Sequence, residues 1–330
     1  MTQLLAAVVA LAASPVGPAA SPAEPAGTVR IWHAPFGKWP DAVWMASAGA
    51  EVVVVPRIGR IMRFAFRGGR NALWSNRALE GKPVPDANRA AEWANYGGDK
   101  LWPAPQDRWS WPPDPLLDGA PHEVATDRGI VLTSPASPTA GIRFVREIRL
   151  APGGAVLRVR NVMENVSQKP VEWSVWQVAQ VDAPLYVSMP VHRAGGFPKG
   201  YRAFPGAEPR AELLTVTATE VRMRRDPRRG AKIGGDSPLG WVRAVWPDKR
   251  LTITIQLRPG VRVERGAPYP DGGCALELWS NPDPLRYMEL ELLGPIVRLP
   301  PGGRAEMTTV WTLERQGPAG VRRADRPPRR

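Results

Sequence analysis

The chain has 330 residues, with 44 Lys or Arg against 31 Asp or Glu, a formal net charge of +13, and Gly and Pro together make up about a fifth of it. Its 43% hydrophobic content and 14 tryptophans supply apolar surface for a large core, which excludes wholesale disorder. Thirty-eight prolines spread along the chain leave few windows for a long helix, which excludes a helical bundle.

Residues 1–26 open with Met-Thr-Gln-Leu-Leu-Ala-Ala-Val-Val-Ala-Leu-Ala-Ala and turn into Pro, Gly, Ser and small residues. The apolar run is too short to span a bilayer but suits the central region of a secretory signal peptide, with cleavage near Ala19, Ala20 or Ala26. The expectation is a secreted or periplasmic protein without stable membrane insertion. Cys274 stands alone, so no intramolecular disulfide forms and stability must come from the core.

From 27 to 316 the pattern is short β-type runs between Gly/Pro-rich turns, which predicts a single all-β domain of antiparallel sheets with few short helices. The expected strands are 28–33, 51–55, 60–67, 130–133, 142–150, 156–162, 171–180, 213–217, 241–246, 251–257, 275–279, 287–293 and 307–314. In Leu251-Thr-Ile-Thr-Ile-Gln-Leu257 every second residue is apolar, the mark of a strand with one buried face. A helix is expected only near 87–94. Two segments concentrate the positive charge: 222–232 carries +5 and the last ten residues +4. Without a zinc-finger spacing, helix-turn-helix or stacking sheet, these read as a solvated hairpin tip and a basic disordered tail over 317–330, so nucleic acid is not an expected partner.

Two stretches carry candidate chemistry. The first runs Trp93-Ala-Asn95-Tyr96-Gly97-Gly98-Asp99-Lys100-Leu101-Trp102-Pro103-Ala104-Pro105-Gln106, followed by Trp109 and Trp111. Read as a loop, it joins indoles to donors and acceptors, the combination that a pyranose needs for its apolar C–H face and its rim of hydroxyls. The same residues would also serve as plugs and turns of a sandwich. The second runs Cys274-Ala-Leu-Glu277-Leu-Trp279-Ser-Asn281, then Tyr287-Met-Glu289-Leu-Glu291-Leu-Leu-Gly294-Pro295. In a strand Glu289 and Glu291 share a face, where mutual repulsion raises one pKa. A cleft explains that arrangement, and so does an exposed acidic face.

Taken in order, these segments resemble the galactose mutarotase-like superfamily of aldose 1-epimerases and hexose-6-phosphate epimerases. Pro56-Arg-Ile-Gly59-Arg60-Ile-Met-Arg-Phe and Gly68-Gly-Arg-Asn-Ala-Leu-Trp74 look like its opening strands. Gly97-Gly98-Asp-Lys-Leu-Trp102-Pro103 is similar to a Gly-Gly-x-Pro-x-x-Trp-Pro stretch of the sugar-phosphate epimerases, with Asn95 where they often carry Arg. Asn161-Val-Met-Glu-Asn165-Val-Ser-Gln-Lys-Pro170-Val-Glu-Trp173 looks like the Asn-rich strand and turn before the family's catalytic His. Glu289-Leu-Glu291, then Leu299-Pro-Pro301-Gly302 and Thr308-Thr-Val-Trp-Thr-Leu313, are similar to the catalytic-Glu strand and the closing strand.

The resemblance implies a two-sheet antiparallel supersandwich and a sugar or oligosaccharide ligand, with no metal or cofactor. It places a catalytic carboxylate at Glu291, with Glu289 and Glu277 as alternates. The substrate-binding residues expected are Arg60, Asn95, Asp99, Lys100, Trp102, Gln106, Trp109, Trp176 and Gln177. Where the family has its His, this chain reads Ser174-Val-Trp176-Gln177, and its only histidines are His33, His122 and His192. An acid would have to be Asp99 with a raised pKa, or Lys100. Arg60, Lys100 and Lys232 also offer cations to an anionic group. The expectation is an exported, monomeric carbohydrate-binding protein, with an epimerase-like or other carbohydrate-active enzyme as the alternative.

Overall fold

A computed structural model describes residues 27–82, 93–264 and 266–315. The strands are β1 (Arg30–His33), β2 (Val43–Ala46), β3 (Ala50–Val55), β4 (Arg60–Phe66), β5 (Asp99–Ala104), β6 (Glu123–Thr126), β7 (Ile130–Thr133), β8 (Ile142–Leu150), β9 (Val156–Asn165), β10 (Val171–Asp182) and β11 (Tyr186–Pro190). They continue with β12 (Arg202–Ala203), β13 (Leu214–Val216), β14 (Glu220–Met223), β15 (Ala231–Gly235), β16 (Trp241–Trp246), β17 (Leu251–Leu257), β18 (Leu276–Ser280), β19 (Tyr287–Leu293), β20 (Val297–Leu299) and β21 (Arg304–Arg315). One sheet has the order β1-β2-β3-β4-β5-β10-β19-β18-β15-β12 with β20 beside β10; the other runs β13-β14-β11-β16-β17-β21-β9-β8-β7-β6. Both are antiparallel, giving the expected all-β two-sheet sandwich.

The α-helices, α1 (Pro115–Asp118) and α2 (Pro270–Gly273), have four residues each. Of the helix expected at 87–94, residues 87–92 lie outside the described residues, and 93–94 are irregular. The segments expected to be a signal peptide (1–26) and a basic tail (317–330) also lie outside them. No helix among the described residues is long and apolar enough to cross a membrane.

The main departure from expectation is β5, which turns much of the supposed loop Asn95–Trp111 into a central strand despite Pro103. Proline cannot donate to a ladder, so it is normally confined to edges. The strand tolerates it because β4 pairs with β5 only at Ile61↔Asp99, while β10 pairs with it from Asp99 to Ala104. At Pro103 one side of β5 has no ladder partner.

The apolar faces of the two sheets meet in one core that includes Phe64, Phe144, Trp246 and Trp311. A polar network crosses it. Arg146 of β8 pairs with the Asp99 carboxylate and donates to Asn161 Oδ1 at 3.1 Å. Gln177 donates to Asp99 Oδ2 at 3.0 Å, and its own Oε1 accepts from Asn161 at 3.3 Å and from Thr309 at 2.9 Å. The Asn-rich segment therefore works structurally: Asn165 donates to the carbonyls of Lys169 and Leu299, closing the turn into β10.

The basic stretch 222–232 divides into two parts. Its tip is paired in part, Arg222 with Glu220, Arg225 with Asp283 and Arg229 with the buried Asp226. Lys232 leaves the tip and enters the sheet on β15.

His122 follows α1 and is buried, with Nδ1 2.8 Å from the Ala120 carbonyl. Burial lowers its pKa from 6.5 to about 4. The unfolded chain therefore takes up a proton between those values that the fold refuses, and stability falls as pH drops from about 6.5 to about 4. The loss from this residue is about 3 kcal/mol. Urea unfolding of the parent and His122→Asn at pH 7.5 and pH 4.5 checks it: the variant should lose less stability on acidification.

Candidate functional site: an indole-lined cleft on the larger sheet

Alternation sends one set of side chains from the larger sheet into the core and the other set outward. Cross-strand register then identifies the outward set. Trp102 faces Trp176, Val178 faces Glu291, Gln180 faces Glu289 and Asp182 faces Tyr287. Beyond them Glu277 faces Glu291, Trp279 faces Glu289 and Lys232 faces Trp279. These residues pave one surface over β5, β10, β19, β18 and β15. Over it lies a cavity of about 530 Å³ lined by Trp93, Asn95, Trp102, Gln106, Trp111, Trp176, Lys232, Trp279, Tyr287, Glu289 and Glu291, among others.

The indole wall is held from behind by Asp118, which accepts from Trp102 Nε1 at 2.6 Å and from Trp93 Nε1 at 2.7 Å. Trp102 meets Trp176 edge to face at 5.2 Å between centroids and Trp93 at 5.7 Å. Trp111 is 53% exposed and forms the rim. Gly97 and Gly98, with φ of +92° and +71°, let the wall cross the sheet closely: a Cβ on them would lie 2.3 Å from the Trp74 carbonyl and 2.5 Å from that of Ile61.

The floor alternates charge. Lys232 Nζ lies 2.6 Å from Glu277 and 3.3 Å from Glu291, over the ring of Trp176. Lys100 Nζ lies 3.5 Å from Glu289 and 4.6 Å from the Trp102 ring centroid. Gln180 donates to Glu289 Oε1 at 2.8 Å, and Trp176 Nε1 donates to Glu291 Oε2 at 2.9 Å. Burial raises the pKa of Glu277 and Glu289 against the pull of the lysines. Burial lowers that of Lys100, whereas at Lys232 the Glu277 and Glu291 carboxylates outweigh burial and raise it. Three carboxylates against two ammoniums leave no excess positive charge. The reading of Arg60, Lys100 and Lys232 as a receptor for an anion is therefore corrected.

Among the expected site residues, Glu291, Glu289, Asn95, Trp102, Gln106 and Trp176 border this one cavity, with Glu277 and Lys100 packed into its floor. Four others go elsewhere. Asp99 and Gln177 lie one position off the outward set and point into the core, so Asp99 is neither a cleft acid nor a ligand to sugar, and Gln177 does not face the cleft. Arg60 is wholly buried, donating to the carbonyls of Gly97 and Asp118 and to the Asp118 carboxylate. Trp109 packs edge to face against Trp102 and donates to the Pro103 carbonyl, so it supports the wall. The sequence reading missed Trp279, Tyr287 and Asp118 as parts of the site. Trp279 was legible in principle, two residues from Glu277 on the same strand.

None of the histidines reaches the cleft. His33 is exposed on edge strand β1, His122 is buried beside α1, and His192 lines a separate cavity beside Asp236.

Residues 41–314 match a family model described as "Domain of unknown function (DUF4380)". None of the curated proteins matches the chain. A galactose mutarotase-like protein from Clostridium acetobutylicum superposes with a TM-score of 0.57 at 9% identity, over 87% of this chain and 99% of that one. A galactose mutarotase related enzyme from Lactobacillus acidophilus gives 0.53 at 9% identity over 86% and 97%. A TPR-domain containing protein from Parabacteroides distasonis gives 0.56 at 15% identity over 87% of this chain, which spans about half (51%) of that longer protein. The fold is galactose mutarotase-like.

Lys232→Met removes the cation between two buried carboxylates. It should destabilise the protein by about 3–5 kcal/mol at pH 8, the usual cost of stranding buried charge. The deficit should shrink toward pH 5 as Glu277, whose folded pKa is raised, takes up a proton. Denaturation at the two pH values, with Lys232→Met/Glu277→Gln as the compensating pair, measures it.

Proposed function

This chain belongs to the DUF4380 family, and from that premise we propose that it is an exported carbohydrate-binding protein whose ligand sits in the indole-lined cleft over β5, β10, β19 and β18. The observation that carries this reading is the pairing of indole and phenol surfaces at Trp102, Trp111, Trp176, Trp279 and Tyr287 with Asn95, Gln106, Lys232, Glu289 and Glu291 in one cavity. Aromatic faces take the apolar side of a sugar ring, while carboxylates and amides accept and donate to its hydroxyls. With three carboxylates against two ammoniums, the floor has no excess positive charge and favours a neutral ring over a phosphorylated one. Export rests on the apolar N-terminal run.

Catalysis of the aldose 1-epimerase kind is the second reading. It needs a base for the anomeric hydroxyl and an acid for the ring oxygen. Glu291 would be the base. Asp99 is out of reach, and Glu289, buried with a raised pKa, is the better candidate for the acid.

Glu291→Gln separates the two readings, because the amide keeps the shape but cannot act as a base. With a panel of neutral and acidic sugars followed by NMR, the binding reading expects no anomer exchange above the uncatalysed rate. It also expects about a tenfold loss of affinity in Glu291→Gln and in Trp279→Ala. The enzyme reading expects exchange in the parent and a fall of ~10²-fold or more in turnover with little change in affinity. Glu289→Gln is the control for the neighbouring position.

A further inference from the structure

A second cavity, of about 870 Å³, is lined by Arg63, Arg70, Trp74, Asn76, Arg77 and Asp182, among others. It shares a wall with the cleft. Asp182 of the second cavity and Tyr287 of the first are cross-strand partners on β10 and β19, so both project from the same side of the sheet. The Trp74 and Tyr287 rings touch at 4.8 Å between centroids. Asn76 donates from Nδ2 to the Asn95 carbonyl at 3.0 Å, and Asn95 lines the cleft. The outward face of β10 thus runs from Trp176 in the cleft to Asp182 in the second cavity, ~20 Å at about 3.3 Å per residue.

We propose that the two cavities form one groove for an oligosaccharide, with one unit in the cleft and the next units crossing Trp74 toward Arg77. The inference rests on the reading of the cleft as a sugar site and extends its ligand from a single ring to a chain. Either cavity alone has the volume of an ordinary small-molecule site, about 300–1,000 Å³. The second shares with the first an indole beside amide groups, and it adds guanidinium donors. Arg63 is tied to Glu51 and Arg70 to Asp182, whereas Arg77 is exposed and makes no ion pair among the described residues. Its five N–H donors are available to the hydroxyls or the carboxylate of a sugar unit that reaches it.

The test starts from an array of neutral and uronate-containing glycans. Calorimetry on the intact protein then uses the mono-, di-, tri- and tetrasaccharides of the strongest-binding linkage. The Kd should fall about tenfold or more between mono- and trisaccharide. Trp74→Ala and Arg77→Ala should each remove most of that gain while leaving the monosaccharide Kd within about twofold. Trp279→Ala should weaken every member. Arg77 is on the surface, so its variant decides if Trp74→Ala does not fold. A Kd independent of chain length, or a gain that survives both variants, overturns the groove and leaves the single-ring cleft standing. Absence of binding by every glycan overturns both.

Discussion

The centre of the larger sheet depends on balancing three carboxylates, Glu277, Glu289 and Glu291, against the ammonium groups of Lys100 and Lys232 on one buried surface. Unpaired, each of these charges would cost several kcal/mol to hold away from water. Lys232 joins Glu277 to Glu291 and Lys100 holds Glu289, and each ammonium also lies over an indole face. The indoles have a second role here. They exclude water from the ion pairs, which strengthens the attraction, and they are the surface left open to a ligand. A floor built this way is rigid, since moving any one group strands another.

The same strands that carry this floor carry the polar network on their opposite face, and a single residue of register separates the two. Lys100 and Trp102 go to the cleft while Asp99 and Leu101 go to the core; Trp176 goes out and Gln177 in. The sequence shows these residues together but gives no parity, because Pro103 and the paired glycines hide the alternation of β5 and make it read as a loop. Where alternation was visible the reading held its geometry: Glu289 and Glu291, spaced by two, do share a face, and Glu291 does lie beside the Asn95–Gln106 segment almost two hundred residues away. Lys232 was named for its charge alone, without its place in the floor. It ends a run of arginines that reads as a solvated tip, and only the pairing of β15 with β18 brings it beside Glu277. Asp118 carries no local signal at all, since its role is created by three partners distant in sequence, Arg60, Trp93 and Trp102.

The fold was more legible than the site for a related reason. Short β-type runs and turn residues are local, so most expected strands appear at nearly their expected places. Strands lacking strong β-branched content, such as β5 and the glycine-containing β15, escaped notice. The Asn161–Trp173 segment, singled out for its resemblance to a motif, serves the architecture: Asn161 satisfies Gln177 and Arg146 inside the sandwich, and Asn165 closes a turn. The fold is shared with a mutarotase-like protein at about a tenth of identical positions, a level at which architecture persists and function has to be argued from the site.

The position on β10 that bears most on chemistry is Trp176. The resemblance leads one to expect a His there, a group that can hold and release a proton near neutral pH. Trp176 offers an N–H that donates but has no lone pair to accept with. It spends that donor on Glu291 Oε2, the same oxygen that Lys232 approaches at 3.3 Å. Both donors compete for the electrons that a base would use, and both stabilise a carboxylate that accepts from hydroxyls. An arrangement selected for proton abstraction would keep those lone pairs open; one selected for holding a polyol would anchor the carboxylate as it is anchored here. Any proton transfer in this cleft would fall to the pair Glu289 and Glu291, a division of labour between two carboxylates and not between a carboxylate and an imidazole. It would have to begin by loosening the contacts that Trp176, Gln180 and the two lysines make with them.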